Sequence, residues 1–262
     1  MRPAPAARTN RRSDGGHEAT PLAAALTTSR PSATARVPLV AIVPAHDEAP
    51  RIGGVVRGAA AHLPVLVVDD GSADETAERS AEAGATVVRQ LPNQGKGAAL
   101  RTGFRWAIDQ GADAAITLDG DGQHDPAEIA RFLEAWAAGA PDLVVGRRNF
   151  RSMPPSRRLA NELGTLAFSW AVGRRIPDNQ SGFRLVSRRL MEATLASDEA
   201  GFEFEVEMIL TAIRAGWRIG WVPIRTIYEG QTSHIRPGRH LRRFLATTWR
   251  ARKAMRAVRS AR

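Results

Sequence analysis

The chain has 262 residues, no cysteine and a formal net charge of +10. That length suffices for one large core, and the lack of thiols excludes disulfides, thiolate metal sites and cysteine nucleophiles. No run reaches the roughly 18 uninterrupted apolar residues of a transmembrane helix, so the sequence predicts a chain that can lie on a bilayer but does not cross one.

Residues 1–36 are rich in Ala, Pro, Arg, Ser and Thr without sustained periodicity and are expected to form a disordered tail. The apolar stretch Leu22–Leu26 is too short for a signal-peptide core, and the expected location is the cytoplasm. From Val37 strand and helix patterns alternate. Leu39–Val43 reads as a buried strand, Glu48–Ala61 as a helix, Val65–Val68 as a strand and Ala73–Ala83 as a helix closed by Gly84. Thr86–Arg89 follows as a short strand, Gly97–Gln110 as a helix closed by Gly111, Ala114–Leu118 as a strand, Ala127–Ala138 as a helix and Leu143–Val145 as a further strand. Repeated β-α units with continuous apolar strands predict an α/β fold, a mainly parallel central sheet with helices on both faces. Next, Leu159–Val172 is strongly apolar and bracketed by Arg157/Arg158 and Arg174/Arg175. It reads either as a core helix or as an interfacial helix over 157–173 whose arginines reach phosphate heads. A strand pair around Ser181–Ser187, a helix from Glu203 to Ala215 and a strand Arg218–Ile227 complete the 37–235 domain.

Residues 236–262 hold ten basic side chains and no acidic one, which equals the whole net excess. Leu241, Phe244, Leu245, Thr248 and Trp249 fall on one helical face, so this segment predicts a basic amphipathic helix. Its partner is either an anionic membrane surface or the chain's own domain, and no nucleic-acid partner is expected.

The most informative stretch is Leu118-Asp119-Gly120-Asp121-Gly122-Gln123-His124-Asp125-Pro126. It delivers two carboxylates and an amide to the carboxyl end of a buried strand, where open α/β sheets hold their ligands. Asp and Gln oxygens are hard ligands, and Mg²⁺ or Mn²⁺ bound by one or two carboxylates plus substrate phosphates is the ion they suit. A plain polar turn with Asp125 capping the next helix is the competing reading, and four other strand-end segments weigh against it. These are Pro44-Ala45-His46-Asp47-Glu48, Asp69-Asp70-Gly71-Ser72, Asn93-Gln94-Gly95-Lys96-Gly97 and Asp178-Asn179-Gln180-Ser181-Gly182-Phe183-Arg184.

In this order the segments resemble the family 2 glycosyltransferases of GT-A fold, and more narrowly the dolichol- or polyprenol-phosphate sugar synthases, whose D-x-D-x-Q-H matches Asp119, Asp121, Gln123 and His124. The glycine-rich loop of a sugar-nucleotide pyrophosphorylase and the Gly-x-Gly-x-x-Gly of a dinucleotide-binding dehydrogenase are both missing after the first strand. The resemblance implies that Pro44, His46, Glu48, Val68 and Asp70 line the nucleoside pocket, and that Asp119, Gly120, Asp121 and Gln123 hold the metal and the donor diphosphate. It also implies that Arg147, Arg157 and Arg236 meet acceptor or donor phosphates, and it leads one to expect an arginine in Glu229–Ser233, which has none; Arg184 or Arg225 would substitute or be structural. The implied reaction is inverting transfer of a sugar from a nucleotide-diphosphate donor to a polyprenyl phosphate at the inner membrane face. The other readings are a non-lipid acceptor, or a non-catalytic basic module on a degenerate scaffold. Lys96, one of two lysines, reads as a solvated helix-start residue in preference to a phosphate or sugar contact.

Overall fold

The computed structural model describes residues 39–153, 155–197, 201, 203–227, 248–253 and 255–256. The expected tail 1–36, the loop Glu229–Ser233, Arg236, and Leu241, Phe244 and Leu245 of the expected C-terminal helix lie outside the described residues.

Seven strands, β1 (Leu39–Ala45), β2 (Val65–Asp69), β3 (Thr86–Arg89), β4 (Ala114–Thr117), β5 (Leu143–Arg148), β6 (Arg184–Ser187) and β7 (Ile219–Ile224), form one sheet in the order β3-β2-β1-β4-β6-β5-β7. β6 runs antiparallel to β4 and β5, and every other pair is parallel. Ala45 lies opposite Asp69, and Asp69 opposite Arg89, so β1, β2 and β3 deliver their following loops to one edge. Leu118 donates its N–H to the Ile42 carbonyl just past β4, which brings the Asp119–Asp121 turn to that same edge.

The helices are α1 (Ala49–Ala60), α2 (Thr76–Glu82), α3 (Lys96–Asp109), α4 (Ile129–Ala137, preceded by a 3₁₀ turn at Pro126–Glu128), α5 (Pro155–Val172), α6 (Arg188–Thr194) and α7 (Glu203–Arg214). Successive strand side chains point to opposite faces, and both faces are apolar here. Val40 and Ile42 pack with Phe104 of α3 and Phe204 of α7, whereas Ala41 and Val43 pack with Ile52 of α1 and Phe132 of α4. Burying each such large side chain contributes about 1.5–3 kcal/mol. This is the α/β architecture with helices on both faces that the alternating pattern predicts.

Two elements differ from expectation. The strand pair around Ser181–Ser187 is a single strand, β6, because the polar groups of Asp178–Gly182 turn inward to the site instead of pairing along an edge. The short helix α6 was not anticipated: it starts directly after β6, where the Ser187 hydroxyl accepts the Leu190 N–H at 3.4 Å. Asp125 caps the 3₁₀ turn before α4, accepting the Ala127 N–H at 3.0 Å.

One face of α5 is the core face that the core-helix reading of Leu159–Val172 expects, and the opposite face is left exposed. Phe168, Ala171 and Val172 are buried in the core, while Leu159, Leu163, Leu166 and Trp170 are 57–67% exposed in a stripe at helical spacing. The described residues after 247 are helical; Ala251 is buried, Met255 packs on the core, and the Arg252 guanidinium lies 4.2 Å over the Trp170 ring. This part of the C-terminal segment therefore packs on its own domain, with Trp249 left exposed.

Candidate active site

The loops at the sheet edge are bolted together by short polar side chains. The Ser72 hydroxyl accepts the Asp47 N–H at 3.0 Å, Asp47 accepts the Ala73 N–H at 2.8 Å, and Thr76 accepts the Glu48 N–H at 2.8 Å. Asp74 accepts the Ala49 N–H at 3.1 Å and also takes the Thr76 hydroxyl. Residues 73–75 are consumed by these bonds, which is why α2 starts at Thr76 and not at Ala73. Asp70 is buried and holds the next loop, accepting from Gln90 Nε2 at 2.6 Å, the Gln94 N–H at 2.8 Å and the Gly95 N–H at 2.8 Å. Three of its roughly four lone-pair positions are thereby used.

The sequence-predicted residues meet at this edge in different ways. Pro44 is buried, and His46 is exposed with Nε2 3.5 Å from Asp47. Val68 has its side chain fully in the core, so only its backbone faces outward to the edge. Gly120 is tucked under β1, where a Cβ would come within 3.3 Å of Ala45 and of Ile52. Asp121 accepts the Gln123 N–H at 2.9 Å and Gln123 Nε2 at 2.8 Å.

Lys96 departs from the sequence reading. It is not a solvated helix-start residue: its ammonium lies 2.5 Å from Asp119 Oδ1 and 2.8 Å from Glu205 Oε1. Glu205, in the first turn of α7, was missed altogether, since nothing local marks which carboxylate of Glu203, Glu205 and Glu207 faces inward. Gly182 closes the cluster; a Cβ there would sit 2.7 Å from both Asp119 oxygens and 2.9 Å from Glu205 Oε1. Close by, Arg148 makes a two-pronged ion pair with the fully buried Asp178 at 2.7 and 2.9 Å. Arg184 is fully buried and donates to the carbonyls of Ser181, Asn179 and Glu205, so it is a structural brace for the Asp178–Phe183 segment.

These contacts sort the carboxylates. Burial opposes ionisation of Asp119, but the charge and hydrogen bond of Lys96, together with the charges of His124 and Arg148, outweigh it and hold the carboxyl down to about 2. Burial, and then the charge of Asp119, push the Asp121 carboxyl up. Glu48 is also raised, chiefly by burial, with Asp121 contributing. His124 is buried against Phe183, its Nδ1 accepting the Asp119 N–H at 3.2 Å; burial pushes the imidazole down to about 4, so it is neutral near pH 7. With Lys96 shared between Asp119 and Glu205, and Arg51 paired with Glu48, the carboxylates of this edge outnumber its cations, an anionic excess that includes Asp121.

That excess, with carboxylate and amide oxygens and no sulfur donor, fits a hard divalent cation. Among the described residues no cluster of three or more His, Asp or Glu side chains could hold a metal unaided. Substrate oxygens would have to complete the coordination shell.

Beyond β5 lies a groove of about 790 Å³ lined by Arg147, Arg148, Arg151 and Arg175 and by apolar groups including Phe150 and Leu166. Arg157 belongs to the first turn of α5, Arg225 is exposed just after β7, and Arg236 is outside the described residues. The bridge between His124 and Thr226, with the Ile227 N–H donated to the Gln123 carbonyl at 3.0 Å, ties the Asp121 turn to the segment after β7.

The family profile described as Glycosyl transferase family 2 matches residues 40–195. An undecaprenyl-phosphate mannosyltransferase of Micrococcus luteus is 32% identical over 201 residues, 71% of this chain and 82% of that protein. A UDP-N-acetylglucosamine–dolichyl-phosphate N-acetylglucosaminyltransferase of Methanococcus voltae is 31% identical over 213 residues, 71% of this chain and 84% of that protein. Among solved structures, glucosyl-3-phosphoglycerate synthase of Mycobacterium tuberculosis, in complex with Mn²⁺, UDP-glucose and phosphoglyceric acid, superposes with a TM-score of 0.68 at 21% identity, covering 87% of this chain and 89% of that one.

Proposed function

This chain belongs to glycosyltransferase family 2 and has its GT-A fold, and from that premise we propose that it transfers a sugar, with inversion, from a nucleotide-diphosphate donor to a polyprenyl phosphate. The observation that carries the reading is the adjacency of two unlike surfaces: an acidic Asp119–Asp121 turn suited to a cation and diphosphate, and an arginine-lined groove that opens onto the exposed apolar face of α5. Both protein relatives named above carry a polyprenyl or dolichyl phosphate acceptor in their names.

In this reading Asp121 and Gln123, with Asp119 beside them, hold Mg²⁺ or Mn²⁺, which supplies charge neutralisation for the departing nucleoside diphosphate. Pro44, His46, Glu48, Asp70, Gly120 and the backbone of Val68 surround the nucleoside and its first phosphate, and Arg236 contacts phosphate from the segment after β7. Arg147 and Arg157 orient the acceptor phosphate, the guanidinium fork matching its oxygens in pairs. A phosphate oxygen of the acceptor attacks the anomeric carbon while the bond from that carbon to the diphosphate oxygen breaks. With a second phosphate pKa of about 6 the nucleophile is already ionised, so no side chain need remove a proton. The neutral, buried and already bonded His124 is consistent with a site that works without a general base.

An acceptor with a polyprenyl tail requires a membrane surface. The stripe Leu159, Leu163, Leu166 and Trp170, with Arg158 on the same helix, Arg174 just past its end and Arg252 over the Trp170 ring, has the apolar face and cationic margins of an element lying in an anionic interface. Among the described residues no helix is long and apolar enough to cross a membrane. Peripheral association with the inner face of the cell membrane follows from this reading.

The test is transfer by the purified chain with undecaprenyl phosphate in anionic vesicles, GDP-mannose or UDP-glucose as donor, and Mn²⁺. Lipid-linked sugar should form, EDTA should abolish it, and Asp121→Asn should lower the rate by at least about 100-fold while leaving the fold intact. Near-normal turnover by that variant, or sugar released only to water, overturns the reading.

A further inference from the structure

Lys96, Asp119 and Glu205 come from three separate elements, the start of α3, the turn after β4 and the first turn of α7, and they converge on one ammonium. Gly182 lets the two carboxylates approach, since any Cβ at that position would meet both. Arg148, the next cation, is committed to Asp178. The turn that would bind a cation thus has its own cation already seated on the first of its two carboxylates.

We infer that Lys96 makes metal uptake at the Asp119–Asp121 turn conditional on a nucleoside diphosphate. In the free protein the ammonium, shared with Glu205, offsets part of the charge of Asp119, so the turn attracts a divalent ion less than two carboxylates without that cation would. So offset, the turn holds such an ion weakly, and the neighbouring ammonium repels it. A diphosphate reverses both effects, because its oxygens complete the shell and its negative charge offsets Lys96. The two ligands therefore bind cooperatively, and linkage requires each to raise the affinity of the other by the same factor. This inference rests on the donor class proposed above and adds the residue that orders donor and metal.

The experiment measures Mn²⁺ binding by the full chain from the electron paramagnetic resonance of the free ion, with no nucleotide, with GDP and with UDP. In the wild type one nucleotide should tighten Mn²⁺ by at least about tenfold. The double variant Lys96→Met/Glu205→Gln removes one positive and one negative charge, so the local sum is unchanged while Asp119 is released. Its nucleotide-free Mn²⁺ affinity should rise, because Asp119 no longer has an ammonium at 2.5 Å while the net charge around it is unchanged, and the nucleotide effect should shrink by the same factor. Lys96→Gln, which retains hydrogen-bonding groups without the charge, should move in the same direction. Glu205→Gln alone leaves Lys96 on Asp119 and should keep the wild-type coupling. A gain of metal affinity is a readout that mere packing damage does not produce. Equal coupling in the wild type and the Lys96 variants overturns this inference and leaves the donor class standing. A wild type whose Mn²⁺ binding responds to neither nucleotide overturns both.

Discussion

Gly182→Ala is the smallest change that strikes the centre of the site. The added methyl would lie 2.7 Å from Asp119 Oδ1 and Oδ2 and 2.9 Å from Glu205 Oε1, well inside the 3.4 Å at which ordinary contact begins. Asp119 cannot retreat freely, because Lys96 holds it on one side and the His124 Nδ1 accepts its backbone N–H on the other. The segment carrying Gly182 cannot retreat either, because the Gly182 carbonyl accepts the buried Thr117 hydroxyl at 2.8 Å and Arg184 braces the loop. Overpacking of this kind costs about 1–3 kcal/mol, or a fall in Tm of about 2–12 °C at the 2–4 °C per kcal/mol of a domain this size. Shifting Asp119 by about 1 Å misplaces the turn that orients the donor, for which a loss of about 100-fold in kcat/KM is expected. Thermal melts by circular dichroism measure the first effect and transfer to undecaprenyl phosphate the second. A variant that melts within about 1 °C of wild type and keeps kcat/KM within about threefold would refute the close-packed cluster.

Three further outcomes are expected. Because burial holds His124 at about 4 against an ordinary 6.5, the unfolded chain takes up its proton first; stability should fall as pH drops from 6.5 to 4, by up to about 3 kcal/mol, and His124→Gln should show a shallower slope in that window, equal slopes counting against the buried neutral imidazole. Arg147→Lys should raise the acceptor KM much more than the donor KM, since an ammonium cannot replace the paired contact of a guanidinium; an unchanged acceptor KM removes Arg147 from the phosphate. Leu163→Glu/Trp170→Glu alters side chains that are 57% and 61% exposed, so the fold should be retained while sedimentation with anionic vesicles weakens at least about tenfold; undiminished binding would shift the membrane contact away from α5.

The sheet was legible because its central strands are buried on both faces and so appear as unbroken apolar runs such as Val65–Val68. The Asp119–Asp121 turn was legible for a related reason: strand-end placement follows from the strand, and the strand is readable. What escaped was everything decided by contact between distant segments. Lys96 sits in a polar stretch after Asn93-Gln94-Gly95, the local signature of a solvated helix start, and only the arrival of Asp119 from the turn after β4 and Glu205 from α7 makes it a buried ion-pair partner. Glu205 itself alternates with Phe204 and Val206 in a helix whose inward face cannot be told from composition. The strand pair expected around Ser181–Ser187 shrinks to the single strand β6, because polar groups of the preceding Asp178–Gly182 turn inward to brace Arg148 and Arg184.

The carboxylates at the sheet edge explain why a motif can be recognised in sequence while its division of labour cannot. Asp70, Asp74 and Asp178 each accept two or more hydrogen bonds from loop backbone or a cation, Asp47 accepts the Ala73 N–H, and each is spent on holding loops in place. Asp119 is committed to Lys96. Asp121 and Glu48 are different: burial raises both, Arg51 at 3.1 Å relieves Glu48 only in part, and Asp121 accepts from the backbone and side-chain amides of Gln123. An amide turns over by rotating its side chain, so Gln123 can exchange the N–H it now gives Asp121 for an oxygen offered to a cation, at the cost of one hydrogen bond worth about 1 kcal/mol. The site is therefore rigid wherever loops must be positioned and adjustable at the one carboxylate where charge is expected to arrive.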